Sequence, residues 1–401
     1  MPTASTMPAP HLIELMPRLL ASGETVAPCA VVDVSAFDHN AARMRERSVG
    51  LPIRVASKSI RSVAALRRAL EHDGYRGILS YSVPEAICLA REGFNDIVVA
   101  YPSVNTLALR ELAADAHLRR EITVMVDCTT HLDLIEAAAA GAGPVRVCID
   151  IDCTLRLPGL VIGPRRSPVR TPEQTRALAE EILRRPQLRL VGLMGYEGQV
   201  ASVADAEMGA AGAIKRLLRG TSMAQLVPRR ADCVAAVREI ADLEFVNGGG
   251  TGSLDVSALD DSLTELAAGS GFYTPVIFDH FDDIDHVPAA FFVCQVARIP
   301  GQRWATVNSG GWIASGPPAP DRAPVPEYPA GLKYSATEGA GEVQTPLHGS
   351  GAKDLSIGDP VWFRHAKAGE MTEHVDRIVA VNSNSSYEEW DTYRGKGWTL
   401  R

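Results

Sequence analysis

Short apolar runs alternate with longer amphipathic stretches through the middle of the chain. Runs at 53–56, 77–81, 96–101, 122–127 and 145–150 are separated by segments rich in Ala, Leu and Arg, and further runs follow at 190–196, 243–247 and 266–271. Short continuous apolar strands, each followed by helix-like sequence, are the pattern of buried parallel strands joined by helical crossovers. About eight such units in about 230 residues predict a (β/α)8 TIM-type barrel, with a doubly wound open sheet as the structural alternative. Beyond residue 286 the texture changes. Strand-like runs at 289–297, 304–308, 359–365 and 377–381, joined by Gly- and Pro-rich connections, predict a C-terminal all-β domain. The stretches 316–322 and 324–329 read as rigid loops. The run 29–34 precedes the first barrel strand and is expected to join the β domain from its N-terminal side. The expected organisation is therefore 1–28 as a tail contributing to the β domain, 29–285 as the barrel and 286–401 as the β domain.

Composition narrows the function classes. A chain of 401 residues exceeds one ordinary core, consistent with two domains. The hydrophobic fraction of 46% and charged fraction of 22% are those of a soluble globular protein. A net charge of -8, with no basic run interleaved with aromatics, argues against nucleic-acid binding. No apolar run approaches the length of about 20 residues that a membrane span requires. The first eight residues lack the basic and apolar regions of a signal peptide and are expected to fray. The seven cysteines are odd in number and lack CxxC spacing, which fits a reducing cytoplasm better than a zinc or disulfide framework.

In a barrel of this kind the active site lies at the C-terminal ends of the strands. Those ends carry Lys58, Tyr81, Tyr101, Asp127, Asp152, Tyr196, Asn247-Gly248 and Ser270-Gly271. Lys58 closes the run Leu51-Pro52-Ile53-Arg54-Val55-Ala56-Ser57, where burial and nearby cations would lower the pKa of an amine and make it nucleophilic. A snorkelling surface lysine is the competing reading. Val246-Asn247-Gly248-Gly249-Gly250-Thr251-Gly252-Ser253 is a strand-to-glycine turn of the type that cradles phosphate, with plain turn chemistry as its alternative. An amine nucleophile together with a phosphate cradle points to pyridoxal phosphate held as a Schiff base. Tyr81 and Tyr101 are equally compatible with half-buried rim aromatics.

These residues carry a family resemblance. Arg54-Val55-Ala56-Ser57-Lys58-Ser59, Gly192-Leu193-Met194-Gly195-Tyr196-Glu197-Gly198, residues 247–253, Gly269-Ser270-Gly271-Phe272-Tyr273, residues 338–344 and Val361-Trp362-Phe363-Arg364-His365-Ala366-Lys367 occur in order. Across residues 28–382 the chain resembles the D-threonine aldolase and D-serine dehydratase branch of the alanine-racemase-like, fold-type-III pyridoxal phosphate enzymes, especially the bacterial amino acid deaminase/aldolase group. The resemblance implies that Lys58 bears the cofactor and that Gly249, Gly250 and Thr251, with Ser270, Gly271 and Tyr273, bind its phosphate. It places Arg156 near the ring hydroxyl and Tyr196 beside ring and substrate. A salt bridge to Asp150 or Asp152 is the plain reading of Arg156.

The chain departs from that family in the β domain. Metal-dependent members hold a divalent ion with a His-x-Cys or His-x-Asp pair, and the corresponding stretch here is His365-Ala366-Lys367. A lysine is a poor metal ligand, so no metal site is expected there, His365 being the residual ligand if there is one; His348 and His374 lack suitable spacing. Lys367 is then expected either to stand in for part of the metal charge or to pair with Glu370 or Glu373. His365 is the general-base candidate for removing a β-hydroxyl proton, or else an ordinary buried histidine.

The activity implied is cleavage or formation of the Cα–Cβ bond of a β-hydroxy-D-amino acid. A deaminating dehydratase, a glycine-dependent transaldolase and a racemase using Tyr328 or Tyr334 are the alternatives. A pyridoxal phosphate carrier, the non-enzymatic class, would lack the β domain. The resemblance further implies a homodimer in which His365 and Lys367 serve the neighbouring subunit, a small amino acid as substrate, and neither nucleic acid nor membrane as partner.

Overall fold

The structure, a computed structural model, describes residues 6–202, 206, 210–281, 284–367 and 369–400. Most of the expected frayed tail therefore lies outside the described residues. The chain divides into two compact units. One comprises Met44–Lys58, Leu70–Gly269 and Thr399–Arg401; the other comprises Met1–Arg43, Ser59–Ala69 and Ser270–Trp398.

The strands in chain order are β1 (Cys29–Asp33), β2 (Ile53–Ala56), β3 (Tyr75–Ser80), β4 (Ile97–Val99), β5 (Ile122–Val126), β6 (Val145–Asp150), β7 (Leu155–Leu157), β8 (Leu160–Ile162), β9 (Leu188–Met194), β10 (Phe245–Gly248) and β11 (Glu265–Ala268). After these come β12 (Ala290–Gly301), β13 (Trp304–Val307), β14 (Val325–Tyr328), β15 (Leu332–Tyr334), β16 (Thr345–Gly349), β17 (Pro360–Arg364), β18 (Arg377–Val381) and β19 (Tyr387–Asp391).

In the first unit β10, β11, β2, β3, β4, β5, β6 and β9 close into a parallel barrel, as the spacing of apolar runs predicts. Their core-facing residues are apolar because helices cover the outside while side chains fill the interior. Val98, Met125, Cys148, Val191, Met194 and Phe245 form one such packed cluster. The exception is charged. Arg54 on β2 is almost wholly buried, lies over the Phe245 ring, and donates from Nε to Glu265 on β11 at 2.7 Å. Its Nη1 also reaches the Asp96 carboxylate at 3.0 Å, and Asn247 Nδ2 donates to the same Glu265 at 2.8 Å. This network ties β2, β10 and β11 together where the barrel closes.

In the second unit the sheet runs β15-β16-β13-β12-β1-β18-β19, with β17 also on β12 and β14 on β17. The N-terminal strand β1 lies antiparallel to β12 and parallel to β18, as its apolar run suggests. Against this sheet packs a helix, Pro10–Ser22, that the sequence reading did not anticipate. Its Leu12, Leu15, Met16 and Leu19 fall on one face and bury against Cys29, Val31, Trp362 and Val379. The stretch 324–329, read as a loop, contains β14. Its prolines have no N–H to donate, which an edge strand tolerates, and its register on β17 shifts between Pro326 and Tyr328. Among the described residues no helix is long and apolar enough to cross a membrane.

Glu265→Ala is expected to leave the Arg54 charge buried beside Asp96 alone and to lower unfolding stability by about 3–5 kcal/mol. Urea denaturation of the full chain measures this; a loss below about 1 kcal/mol would contradict the role given to the pair.

Candidate active site

Parallel strands deliver the residues that follow them to one rim of the barrel. Lys58 follows β2 in a short 3-10 turn, Ser57–Ser59, pinned by Ser57 Oγ donating to the Leu79 carbonyl at 3.1 Å. Its Nζ donates to Tyr101 Oη at 3.2 Å and stands 5.8 Å from the centre of that ring. The side chain is exposed, so the desolvation expected from its position after a buried strand is not what the structure shows. Tyr101, just beyond β4, is half-buried. Burial opposes its ionisation, but the charges of Lys58 and Arg166 and their hydrogen bonds outweigh that and hold the phenol below its ordinary value.

Arg166 is the residue that sequence reasoning missed. Its guanidinium lies 5.2 Å from the Tyr101 ring centre and 4.9 Å from that of Tyr196. The loop bearing it follows the β7–β8 hairpin and is fixed by buried Ser167, whose Oγ donates to the Asp150 carbonyl at 2.7 Å. Arg156, the arginine the sequence favoured, sits on β7 with its side chain 54% exposed and pairs with Asp152 at 3.1 Å. The structure thus gives Arg156 the plain salt bridge and brings Arg166 to the two aromatic rings. The only local signal was the Pro164-Arg165-Arg166-Ser167 run itself. Buried Asp150 closes this part of the rim; burial, with Asp127 and Asp152 adding to it, pushes its carboxyl up to about 7 against the opposing charge of Arg166.

The glycine turn after β10 is differently engaged than its sequence suggests. Gly249 is left-handed (φ 81°), and its N–H donates to buried Glu197 Oε1 at 3.0 Å. The Gly250 N–H donates to Ser253 Oγ at 3.2 Å. Both amides bond within the protein and shape the turn. Gly250 is required for space: a Cβ there would come within 2.9 Å of Ala201 and 3.2 Å of the Tyr196 ring. Thr251 is buried, and its carbonyl accepts from Arg47 Nη1 at 2.8 Å. Tyr196, half-buried, shares a 2.8 Å hydrogen bond with Ser202 Oγ.

The remaining predicted residues belong to the other unit. Ser270 and Gly271 open a single helical turn, Ser270–Tyr273. Tyr273 is fully buried; its hydroxyl donates to the Ile60 carbonyl at 3.2 Å, and burial pushes its ionisation up. His365 follows β17, is 2% exposed, and meets the Tyr273 ring edge-on at 6.4 Å. Burial first, then the Arg364 charge, pulls its pKa down to about 3, and the Ala290 backbone opposes them only weakly. His365 is therefore a neutral imidazole at physiological pH. Lys367 is half-buried in the bend after it.

Comparison with known proteins agrees with this architecture. Residues 32–236 match the alanine racemase N-terminal domain. The chain belongs to that family. It is 25% identical over 265 residues to a 3-hydroxy-D-aspartate aldolase of Paracoccus denitrificans, covering 65% of this chain and 64% of that protein. It is 27% identical over 248 residues to a D-threonine aldolase of an Arthrobacter species, covering 61% of this chain and 60% of that one. The match thus spans less than two-thirds of either relative. In fold, the D-threonine aldolase from Filomicrobium marinum superposes with a TM-score of 0.77 at 22% identity, covering 92% of this chain and 95% of its own. The D-threo-3-hydroxyaspartate dehydratase from Delftia sp. HT23 gives a TM-score of 0.69 at 20% identity, covering 93% of this chain and 98% of its own.

An ultraviolet titration of phenolate is expected to show a tyrosine ionising below pH 10 in the native protein and to lose that step in Tyr101→Phe. An unchanged titration in the variant would contradict the geometry of Lys58, Tyr101 and Arg166.

Proposed function

We propose that the protein is a pyridoxal-phosphate-dependent lyase acting on the Cα–Cβ bond of a β-hydroxy-D-amino acid. The observation that carries the reading is Lys58 at a barrel strand end, its amine 3.2 Å from a phenol that two cations favour as the anion. The residues present fit the cofactor. Lys58 would hold it covalently, Arg166 and Tyr196 would flank the ring, and the turn at Gly250 and Thr251 would lie towards its phosphate. Bound there, pyridoxal phosphate supplies an electron sink for the pair left on Cα.

The chain's own residues supply the proton movements. Tyr101 holds or releases a proton at its phenolic oxygen beside the Lys58 amine. Lys58, when its amine is free, is the base for a proton at Cα. On the family resemblance His365, neutral because it is buried, accepts the β-hydroxyl proton at a ring nitrogen. On the same ground Lys367 holds a fixed positive charge where metal-dependent members place an ion, and Tyr196 orients the substrate. The two aldolase relatives support a D-configured β-hydroxy substrate. The homodimer and the cytoplasmic location that the sequence suggests belong to the same proposal, and light scattering on the purified chain checks the dimer.

A substrate panel on cofactor-loaded protein tests the reading. D-Threonine and 3-hydroxy-D-aspartate are expected to yield glycine and an aldehyde, L-threonine nothing, and Lys58→Ala is expected to abolish turnover. Lys367→Ala is expected to lower kcat roughly 10²–10³-fold while cofactor absorbance is retained. Ammonia and an oxo acid as the products would make the enzyme a dehydratase and overturn the carbon–carbon assignment.

A further inference from the structure

The barrel rim carries a second constellation that the proposed reaction does not use. Asp127 follows β5, Cys128 occupies the N-cap position of the helix Thr129–Ala138 without capping it through its side chain, and His131 lies in the first turn. This strand-to-helix junction aims all three side chains at one point. His131 Nδ1 is 3.0 Å from Asp127 Oδ1 and 3.4 Å from Cys128 Sγ, and the three donor atoms lie within 4.8 Å of one another. The side chains of His131 and Asp127 are 18% and 11% exposed, so the point is sheltered yet reachable.

A carboxylate, an imidazole nitrogen and a sulfur, three different metal-ligand types, converge at this point. A metal ion answers carboxylate, imidazole and sulfur together. Tetrahedral zinc, with bonds of about 2.0–2.3 Å, needs neighbouring donors roughly 3.3–3.6 Å apart. The sulfur–nitrogen pair already has that separation, and the oxygen–nitrogen pair needs to open by a few tenths of an ångström.

We infer that Asp127, Cys128 and His131 form a binding site for a divalent transition metal of the zinc class. A thiolate and an imidazole select zinc or cobalt over magnesium or calcium. Three protein donors leave one tetrahedral position for water or a small oxygen ligand, the arrangement of an open rather than a closed zinc site. The site is on the barrel unit and involves neither His365 nor Lys367. It stands whether or not the proposed aldolase chemistry holds.

Cobalt(II) titrated into the chelator-stripped, full-length protein provides the test. One equivalent is expected to bind and give the visible bands of tetrahedral cobalt with a thiolate charge-transfer band. Cys128→Ser is expected to abolish the charge-transfer band, and His131→Ala to weaken binding by roughly 10–100-fold or more. Zinc is also expected to protect Cys128 of the unaltered protein from alkylation, as read by peptide mass spectrometry, which needs no variant to fold. Alkylation of Cys128 at the same rate with and without zinc would overturn the site. So would a cobalt spectrum that survives both substitutions, which would place the metal elsewhere.

Discussion

The buried carboxylate of Glu197 is the constraint on which the mouth of the barrel depends. It follows Tyr196 at the end of β9 and accepts the Gly249 N–H from the turn after β10. Ser257 and Arg230 bond to the same carboxylate, and Arg230 reaches on to Asp260 at 3.0 Å. All three charged groups are almost fully buried, and removing one partner of such a set costs about 3–5 kcal/mol because it strands the others. The carboxylate thereby holds Gly249 left-handed and brings the Gly250 backbone against the Tyr196 ring. Glu197 is thus the hinge between a strand end that supplies an aromatic face and a turn that leaves no room for a side chain.

On the opposite side of the rim, electrostatics rather than packing sets the chemistry. Lys58 and Arg166 both approach Tyr101, and their combined positive charge overcomes the burial that alone would keep the phenol protonated. Arg166 also covers Tyr196 and favours the ionised carboxylate of Asp150 against its burial. A single arginine therefore touches the aromatic faces and tempers the acidic sector. In the β unit the balance is reversed: burial and the Arg364 charge strip His365 of its proton, leaving a base in place of an acid.

How much of this was legible in the sequence depends on whether the determinant was local. The eight barrel strands were readable because a strand buried on both faces must be a continuous apolar run, and Lys58 because it ends one of them. The family's ordered motifs carried the pairing of barrel and β domain. Strands β14, β15, β16 and β19 escaped because edge or partly exposed strands mix polar residues and prolines with apolar ones. The choice of Arg166 over Arg156 was not legible: it depends on how the β7–β8 hairpin folds back, which Ser167 and Asp150 fix through space. The hydrogen bonds of the Gly249 and Gly250 amides were not legible for a similar reason, since their acceptors lie at Glu197 and Ser253. The cluster of Asp127, Cys128 and His131 was hidden by a spacing that matches no familiar metal motif.

The central claim is that Lys58 carries the cofactor. Borohydride reduction of the pyridoxal-phosphate-loaded, full-length protein, followed by digestion and peptide mass spectrometry, tests it without reference to any substrate. The account predicts a phosphopyridoxyl adduct on the peptide containing Lys58 and on no other. An adduct confined to a different lysine, or none despite cofactor binding, would contradict it.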